Sequence, residues 1–341
     1  MKNFSLLTYT FSHFIVDYIC IFTVINPLCD SFGTPEYALG IVVYNFLAFG
    51  LQMLIGAFCD EKRSFPSAAV GCFLVLFGGA FSGFSRWSGI LLVGIGNAFF
   101  HVGGGMDSLI NSGGKIKRSG IFVSSGALGV ALAVYNSGKG TSLLLPLIVL
   151  AICGVLCFIA QKKTDFFGDS EINFAANKKY STWIIIILAL VSVLIRSFGG
   201  TIMPADWKTT EELILLSGVA AFGGKFIGGF AADFFGAKRT GVISLLLSGV
   251  FIGLGTNNAV LSLIGILLFN ITMPITLCII AEKLKKSPGT AFGLTTAALL
   301  LGAVPSFFIA LEKNFAVLAV IIIISAGCVF FSADKNKAEV L

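Results

Sequence analysis

Twelve apolar stretches follow one another along this chain with only short polar connections between them. Each is close to the ~20 residues a helix needs to cross a hydrocarbon core. They run over 4–25, 37–58, 66–84, 87–110, 119–136, 141–160, 181–203, 210–235, 240–256, 258–280, 288–310 and 314–333, and the third, fifth and ninth are the short or Gly-rich ones. A soluble fold is excluded by the same pattern: 56% of residues are hydrophobic and 12% charged, against roughly 25% charged in an ordinary globular domain. Runs such as IIIILALVSVLI (184–195) lack the period-two alternation of a membrane β-barrel. The expected class is an all-α membrane protein with 12 transmembrane helices.

Basic residues set the orientation. With the N-terminus placed in the cytoplasm, seventeen Lys and Arg fall inside, Lys335 and Lys337 among them; four, Arg86, Lys139, Lys208 and Lys313, fall outside. This positive-inside bias predicts an even number of spans with both termini cytoplasmic, in a bacterial-type cytoplasmic (inner) membrane. The net charge of +6 then reflects topology, and no nucleic-acid partner is expected. The first span lacks a small-residue cleavage signature and reads as an uncleaved helix. The eight Cys are read as small buried hydrophobes. Gly103-Gly104-Gly105 lies inside a span with no following Lys-Ser/Thr, so it is not a phosphate loop. With no catalytic triad, no zinc-ligand spacing and no cofactor fingerprint, neither enzyme activity, a metal nor a cofactor is expected.

The sequence also repeats. At an offset of 173 residues Ala48-Phe49-Gly50 falls on Ala221-Phe222-Gly223, Gly56 on Gly229, Asp60 on Asp233, Asn97 on Asn270, and Gly120 and Gly129 on Gly293 and Gly302. A shift of six helices preserves direction through the membrane, so the halves are parallel six-helix repeats about an axis along the membrane normal. The expected domains are 1–160 and 181–341, joined by a polar cytoplasmic linker, 161–180.

The second span ends GAFCDEKR (56–63) and the eighth GGFAADFFGAKR (228–239). Both resemble the cytoplasmic loop motif of the major facilitator superfamily, Gly-x-x-x-Asp followed by basic residues. The second copy keeps Asp233, Gly236, Lys238 and Arg239; the first is shortened and lacks the Gly after its Asp. GIGNAFFHVGGG (94–105) is similar to the fourth span of the fosmidomycin-resistance branch, whereas the fifth span, SSGALGVALAVYNSG (124–138), lacks the Gly-Pro-rich motif of many drug/proton antiporters. The resemblance implies the major facilitator fold, a monomer in membrane lipid, and a central cavity lined by spans one, four, seven and ten together with two, five, eight and eleven. It also implies that Asp60, Arg63, Asp107, Asp233 and Arg239 are gating residues that latch the halves; ordinary interfacial charge placement is the alternative.

Charge in the middle of a membrane costs about 3 kcal/mol per residue on insertion scales and is read as functional. At ~1.5 Å rise per residue, five such residues lie near mid-depth: His13, Asp17, His101, Arg196 and Lys225. The first three belong to the first half and the two cations to the second. Arg196 keeps its proton and must face an anion or water. It is read as a clamp for an anionic substrate with Lys225 as a second point charge, against the alternative of a permanent ion pair with Asp17. His13 and Asp17, four residues apart, share a helix face. Asp17 is the best-placed carboxylate for a coupling proton, since burial disfavours its charged form, with His13 or His101 assisting; hydrogen-bonded core histidines are the alternative. Gln52, which aligns with Lys225, and the pair Asn97 and Asn270 are further substrate-binding candidates, as are Asn45 and Tyr44; for the Asn residues interhelical hydrogen bonds serve equally. Pro274 should loosen the tenth helix.

The expected function is therefore secondary active transport of a small organic anion, proton-coupled, by alternating access. A drug or antibiotic exporter is the alternative within transport, and a non-transporting sensor or lipid scramblase the alternative outside it.

Overall fold

The structure is a computed structural model and describes residues 2–26, 34–163 and 172–334. Among these residues the chain forms twelve successive helical segments: α1 (Lys2–Ile25), α2 (Pro35–Glu61), α3 (Ser67–Phe81), α4 (Arg86–Ile110), α5 (Ile116–Asn136), α6 (Leu144–Lys163), α7 (Thr182–Thr201), α8 (Glu211–Phe235), α9 (Ala237–Leu254), α10 (Ala259–Lys283), α11 (Pro288–Ala303) and α12 (Phe315–Ser332). Lys335, Lys337 and residues 164–171 of the expected linker lie outside the described residues. Ten of the segments are long and apolar enough to cross a membrane. Outward-facing Leu144, Leu145, Ile152 and Ile323 are more than half exposed, a surface that lipid solvates and water does not. The chain is a multi-pass membrane protein.

The two shorter helices are α3 and α11, at 15 and 16 residues. The fifth and ninth, which also read as short in sequence, meet the spanning length. The eleventh stops early because Pro305 has no N–H for the carbonyl of Leu301, and only a four-residue turn, Pro305–Phe308, follows. Two other helices are interrupted. In α2 a five-residue π turn, Phe46–Gly50, widens the helix beside the central cavity. In α10 the helix breaks at Ile271, because Pro274 withholds the donor that the carbonyl of Asn270 would use.

The halves meet along two seams, α2 against α11 and α5 against α8. Both are built on glycine, which lets backbones touch. A Cβ at Gly56 would land on the carbonyl of Gly289, and one at Gly293 on the backbone of Gln52 and Met53; a Cβ at Gly229 would land on the backbone of Ile116 and Lys117, and one at Gly120 on the carbonyl of Lys225. Each contact in one seam is the other shifted by 173 residues (56 to 229, 116 to 289, 120 to 293, 52 to 225). The two crossings are thus one interface used twice.

Within the first half α3 packs on α4 through Gly71, Gly96 and Gly103. Gly71→Ala places a methyl against the backbone of Phe100 and Gly96. Overpacking of this kind costs about 1–3 kcal/mol, so the detergent-solubilised variant should melt several degrees below the parent in a thermal-denaturation assay. Gly103, Gly104 and Gly105 serve three neighbours in turn, since a Cβ on each would meet Ala68, Phe122 and Phe292 respectively.

The later part of the expected linker is bound to the second half. The backbone N–H groups of Phe174 and Ala176 donate to Glu282 Oε2 (2.6 and 3.1 Å), and Lys283 Nζ donates to the carbonyl of Asn177 (2.6 Å). Ile172, Phe174 and Ala176 are buried.

Candidate functional site

A cavity of about 640 Å³ lies between the halves, within the range of small-molecule sites. Its lining runs from mid-depth, at His13, Asp17 and Lys225, to the end away from the termini, at Val134, Lys208 and Ala303. Both halves contribute, but unequally in charge.

The second half supplies cations. Arg196, on α7, is 4% exposed and lines the cavity. Its Nε donates to the carbonyl of Ser192 (3.2 Å) and its Nη2 to Thr276 Oγ1 (3.2 Å). Thr276 lies just beyond the Pro-broken part of α10 and turns its own hydroxyl to the carbonyl of Thr272 or Met273, which leaves its oxygen to accept from the guanidinium. Two of five N–H donors are thereby used, and among the described residues no carboxylate stands within ion-pair distance. Lys225, on α8, lines the same cavity without a hydrogen bond or ion pair among those residues. Lys208, in the α7–α8 connection, is a third cation at the mouth; burial, and then the neighbouring charge of Lys313, lower its ammonium pKa. In the sequence Lys208 reads only as an outer-side charge, because nothing local says that the connection folds back over the cavity.

The first half supplies acceptors. Asp17 on α1 receives Asn97 Nδ2 at its Oδ1 (2.8 Å). Its Oδ2 faces His13 Nε2 at 3.2 Å, and its Oδ1 faces His101 Nε2 at 3.7 Å. Both rings point their other nitrogen at a carbonyl: His13 Nδ1 lies 2.8 Å from the oxygen of Phe122 and His101 Nδ1 2.9 Å from that of Asn97. The rings meet edge to face with centroids 4.4 Å apart, and His13 stacks on Phe122 at 4.7 Å. All three side chains line the cavity, and the three ligand atoms lie within 4.8 Å of one another. Gly126 keeps the space beside them, because a Cβ there would collide with Asp17 Oδ2 and His13 Nε2.

Three sequence candidates do not reach the cavity lining. Gln52 is fully buried and donates from Nε2 to the carbonyl of Ala48 (2.6 Å). Its backbone does match that of Lys225, but the shorter side chain is spent on its own helix, at a carbonyl inside the π turn. Tyr44 is buried at 3% exposure, beneath the lining and not in it. Asn97, at 1% exposure, acts on Asp17 instead. Asn45 and Asn270 do line the cavity, each with its amide on a carbonyl four residues back (2.8 and 2.9 Å). Arg196 is not paired with Asp17, which the sequence had left open.

The gating candidates divide in the same way. Asp60, at the end of α2, accepts from the backbone N–H groups of Gly289 (2.7 Å) and Thr290 (2.8 Å) and from the Thr290 hydroxyl (2.7 Å). Asp233, at the end of α8, accepts from the N–H groups of Ile116 (2.8 Å) and Lys117 (3.1 Å). Each carboxylate thus caps the first turn of a helix in the other half, where free N–H groups and the helix dipole favour an anion. The donors are again 173 residues apart (116 and 289, 117 and 290). Arg63 Nη2 adds a bond across the halves to the carbonyl of Lys286 (2.9 Å). Asp107 does not bridge the halves: it is buried, accepts from Ser5 (3.0 Å) and Asn111 (2.8 Å), and lies 3.8 Å from Arg118 Nη2, all within the first half. Arg239 is exposed and takes no part in either cap. The expectation that these two residues latch the halves is corrected accordingly: Asp107 faces inward among α1, α4 and α5, and Arg239 faces solvent.

No protein-family model matches the sequence, and no curated protein does. The structure is similar to the crystal structure of the E. coli fucose:proton symporter, with a TM-score of 0.62 at 12% identity, covering 96% of this chain and 97% of that one. Agreement over nearly the whole length of both chains, with two repeats around a central cavity, gives this chain the major facilitator fold.

Proposed function

We propose that the protein is a secondary active transporter for a small organic anion. The observation that carries this is the pair of cations, Arg196 and Lys225, facing one cavity, neither of them within hydrogen-bond or ion-pair distance of a carboxylate among the described residues. A buried charge is retained at such a depth when something pairs it, and a cavity of small-molecule size between them leaves that place to a ligand. The two caps, Asp60 on α11 and Asp233 on α5, lie at the end that bears the termini, the cytoplasmic end by the positive-inside rule. They hold that end shut while the cavity extends toward the other, an outward-facing arrangement. Breaking them and closing the far side completes alternating access.

A proton is the coupling ion in this reading. Asp17, His13 and His101 line the same cavity from the first half, so charge uptake there can be linked to anion binding by the cations of the second. A solved structure of similar fold is that of a fucose:proton symporter, which agrees with that choice. An exporter is the second reading: Phe49, Phe269 and Phe292 line the cavity and would suit an apolar cargo, and the similarity of residues 94–105 to the fosmidomycin-resistance branch points the same way.

Uptake of radiolabelled carboxylates and phosphonates by proteoliposomes tests the proposal. An imposed inward proton gradient should raise accumulation and a protonophore should abolish it. Lys225→Met should raise KM about tenfold, the loss of roughly 1.4 kcal/mol of point-charge attraction, with a smaller change in kcat. No anion accumulating under any gradient would sink the carrier reading; resistance without accumulation in cells would favour export, and lipid exchange indifferent to the gradient would favour a scramblase.

A further inference from the structure

We infer that His13, Asp17 and His101 form a binding site for one divalent transition-metal ion of borderline softness, of the class of Zn²⁺, Co²⁺ or Ni²⁺, with an open position toward the cavity. A carbonyl oxygen can only accept, so the contacts of His13 Nδ1 with Phe122 (2.8 Å) and of His101 Nδ1 with Asn97 (2.9 Å) fix the hydrogen on Nδ1 in both rings. Each Nε2 of a neutral ring is then a lone pair. Both lone pairs face the carboxylate of Asp17, at 3.2 and 3.7 Å. With both rings neutral, the two Nε2 lone pairs converge on the Asp17 carboxylate, which has one hydrogen-bond donor, Asn97 Nδ2, on Oδ1, and a cation shared among the three side chains completes the cluster.

The geometry fits a metal ion. Ligand bonds of about 2.0–2.1 Å to nitrogen and oxygen in a tetrahedral site set donor atoms about 3.4 Å apart; His13 Nε2 lies 3.2 Å from Asp17 Oδ2, His101 Nε2 lies 3.7 Å from Asp17 Oδ1, and one donor atom from each residue lies within 4.8 Å of the other two, so small side-chain rotations bring the three onto one ion. An Nδ1–H held by a backbone carbonyl is the usual outer-shell arrangement for a metal-binding His, since it orients the ring and sets the tautomer. Asn97 Nδ2 orients the carboxylate in the same manner, while its Oδ1 is buried without a partner among the described residues. Gly126 leaves the approach from the cavity unfilled. Two imidazoles and one carboxylate suit Zn²⁺, Co²⁺ or Ni²⁺ and offer too few oxygens for Na⁺, Mg²⁺ or Ca²⁺. The chain has two histidines in 341 residues, and both are here.

The site stands without the anion reading and competes with the coupling proton for the same three side chains, so its test contains no transport and no anionic substrate. Co²⁺ is titrated into the purified full-length protein in detergent, prepared without a polyhistidine tag. The expected result is visible ligand-field absorption of the intensity of a four- or five-coordinate site, saturating at one ion per chain and bleached by Zn²⁺. Replacing an outer-shell partner costs about 10–100-fold in metal affinity; Asn97→Ala should fall in that range, and His101→Gln and Asp17→Asn should exceed it. Absence of these bands in the unmodified protein overturns the inference, whether or not the variants fold. So does a sulfur-to-cobalt charge-transfer band, which would place the ion on cysteine, or absorption that survives His101→Gln.

Discussion

Replacing Arg196 with Gln is expected to lower kcat/KM for anion uptake by about 100-fold while leaving the protein as stable as before or more so. The first half follows from the cost of removing one member of a desolvated charge contact, about 2–5 kcal/mol, at 1.4 kcal/mol per factor of ten. The second half separates function from structure. Arg196 is buried with hydrogen bonds to Ser192 and Thr276 but no carboxylate among the described residues, so the fold carries its desolvation cost without an internal ion pair in return. A neutral side chain of similar reach relieves that cost. Had Arg196 been one arm of a buried salt bridge, the same change would leave an unpaired charge and lower stability by about 3–5 kcal/mol. Thermal melting and proteoliposome uptake on the same preparation decide. Arg196→Lys should recover only part of the rate, because a single ammonium cannot hold Ser192, Thr276 and a ligand together as the planar fork does. Unchanged affinity and unchanged maximal rate in the Gln variant would refute the clamp.

The other large effect is expected from Asp60→Ala combined with Asp233→Ala. Each carboxylate accepts two or three bonds from the first turn of a helix in the opposite half. Hydrogen bonds to a charged group contribute about 1.5–3 kcal/mol apiece, so losing both caps removes several kcal/mol from the state in which the termini end is closed. About 5.5 kcal/mol takes a two-state equilibrium from 1:99 to 99:1, which puts a near-complete reversal within reach of the double variant and a partial shift within reach of each single one. Spin labels at the exposed positions Lys62 and Lys285, on opposite halves, should show the short distance of the parent replaced by a longer one. Uptake should fall, since a carrier held open to one side cannot cycle. A distance distribution that does not move would show that the glycine seams alone keep the halves together.

That these two caps are related could be read before any coordinates: Asp60 and Asp233 sit at one constant offset, as do the glycines that pack beside them. What they bind could not. The family resemblance implies that they latch the halves without saying onto what, and the structure shows carboxylates on backbone N–H groups, a partner that leaves no mark in side-chain identity. Arg63 reaches across the halves to a carbonyl, that of Lys286. The resemblance groups Asp107 and Arg239 with the others, yet one is enclosed within the first half and the other points to solvent.

The mid-membrane residues divide along the same line. Scarcity of charge picked out His13, Asp17, His101, Arg196 and Lys225, since each is too costly at that depth to be incidental. Gln52 and Tyr44 were inferred from alignment and helix position, and both are buried beneath the cavity lining. Hydropathy, periodicity and the 173-residue repeat are properties of short stretches read along the chain, and they determined the helices, their order, the duplicated interface and the few ionisable groups at mid-depth. Which of those groups meet was decided only in three dimensions. Asn97 touches Asp17 from 80 residues away because glycines at the α3–α4 and α1–α5 contacts set how closely each helix approaches and how far it is rotated about its axis, and a rotation of one residue's width turns a side chain from the cavity into the packing between helices.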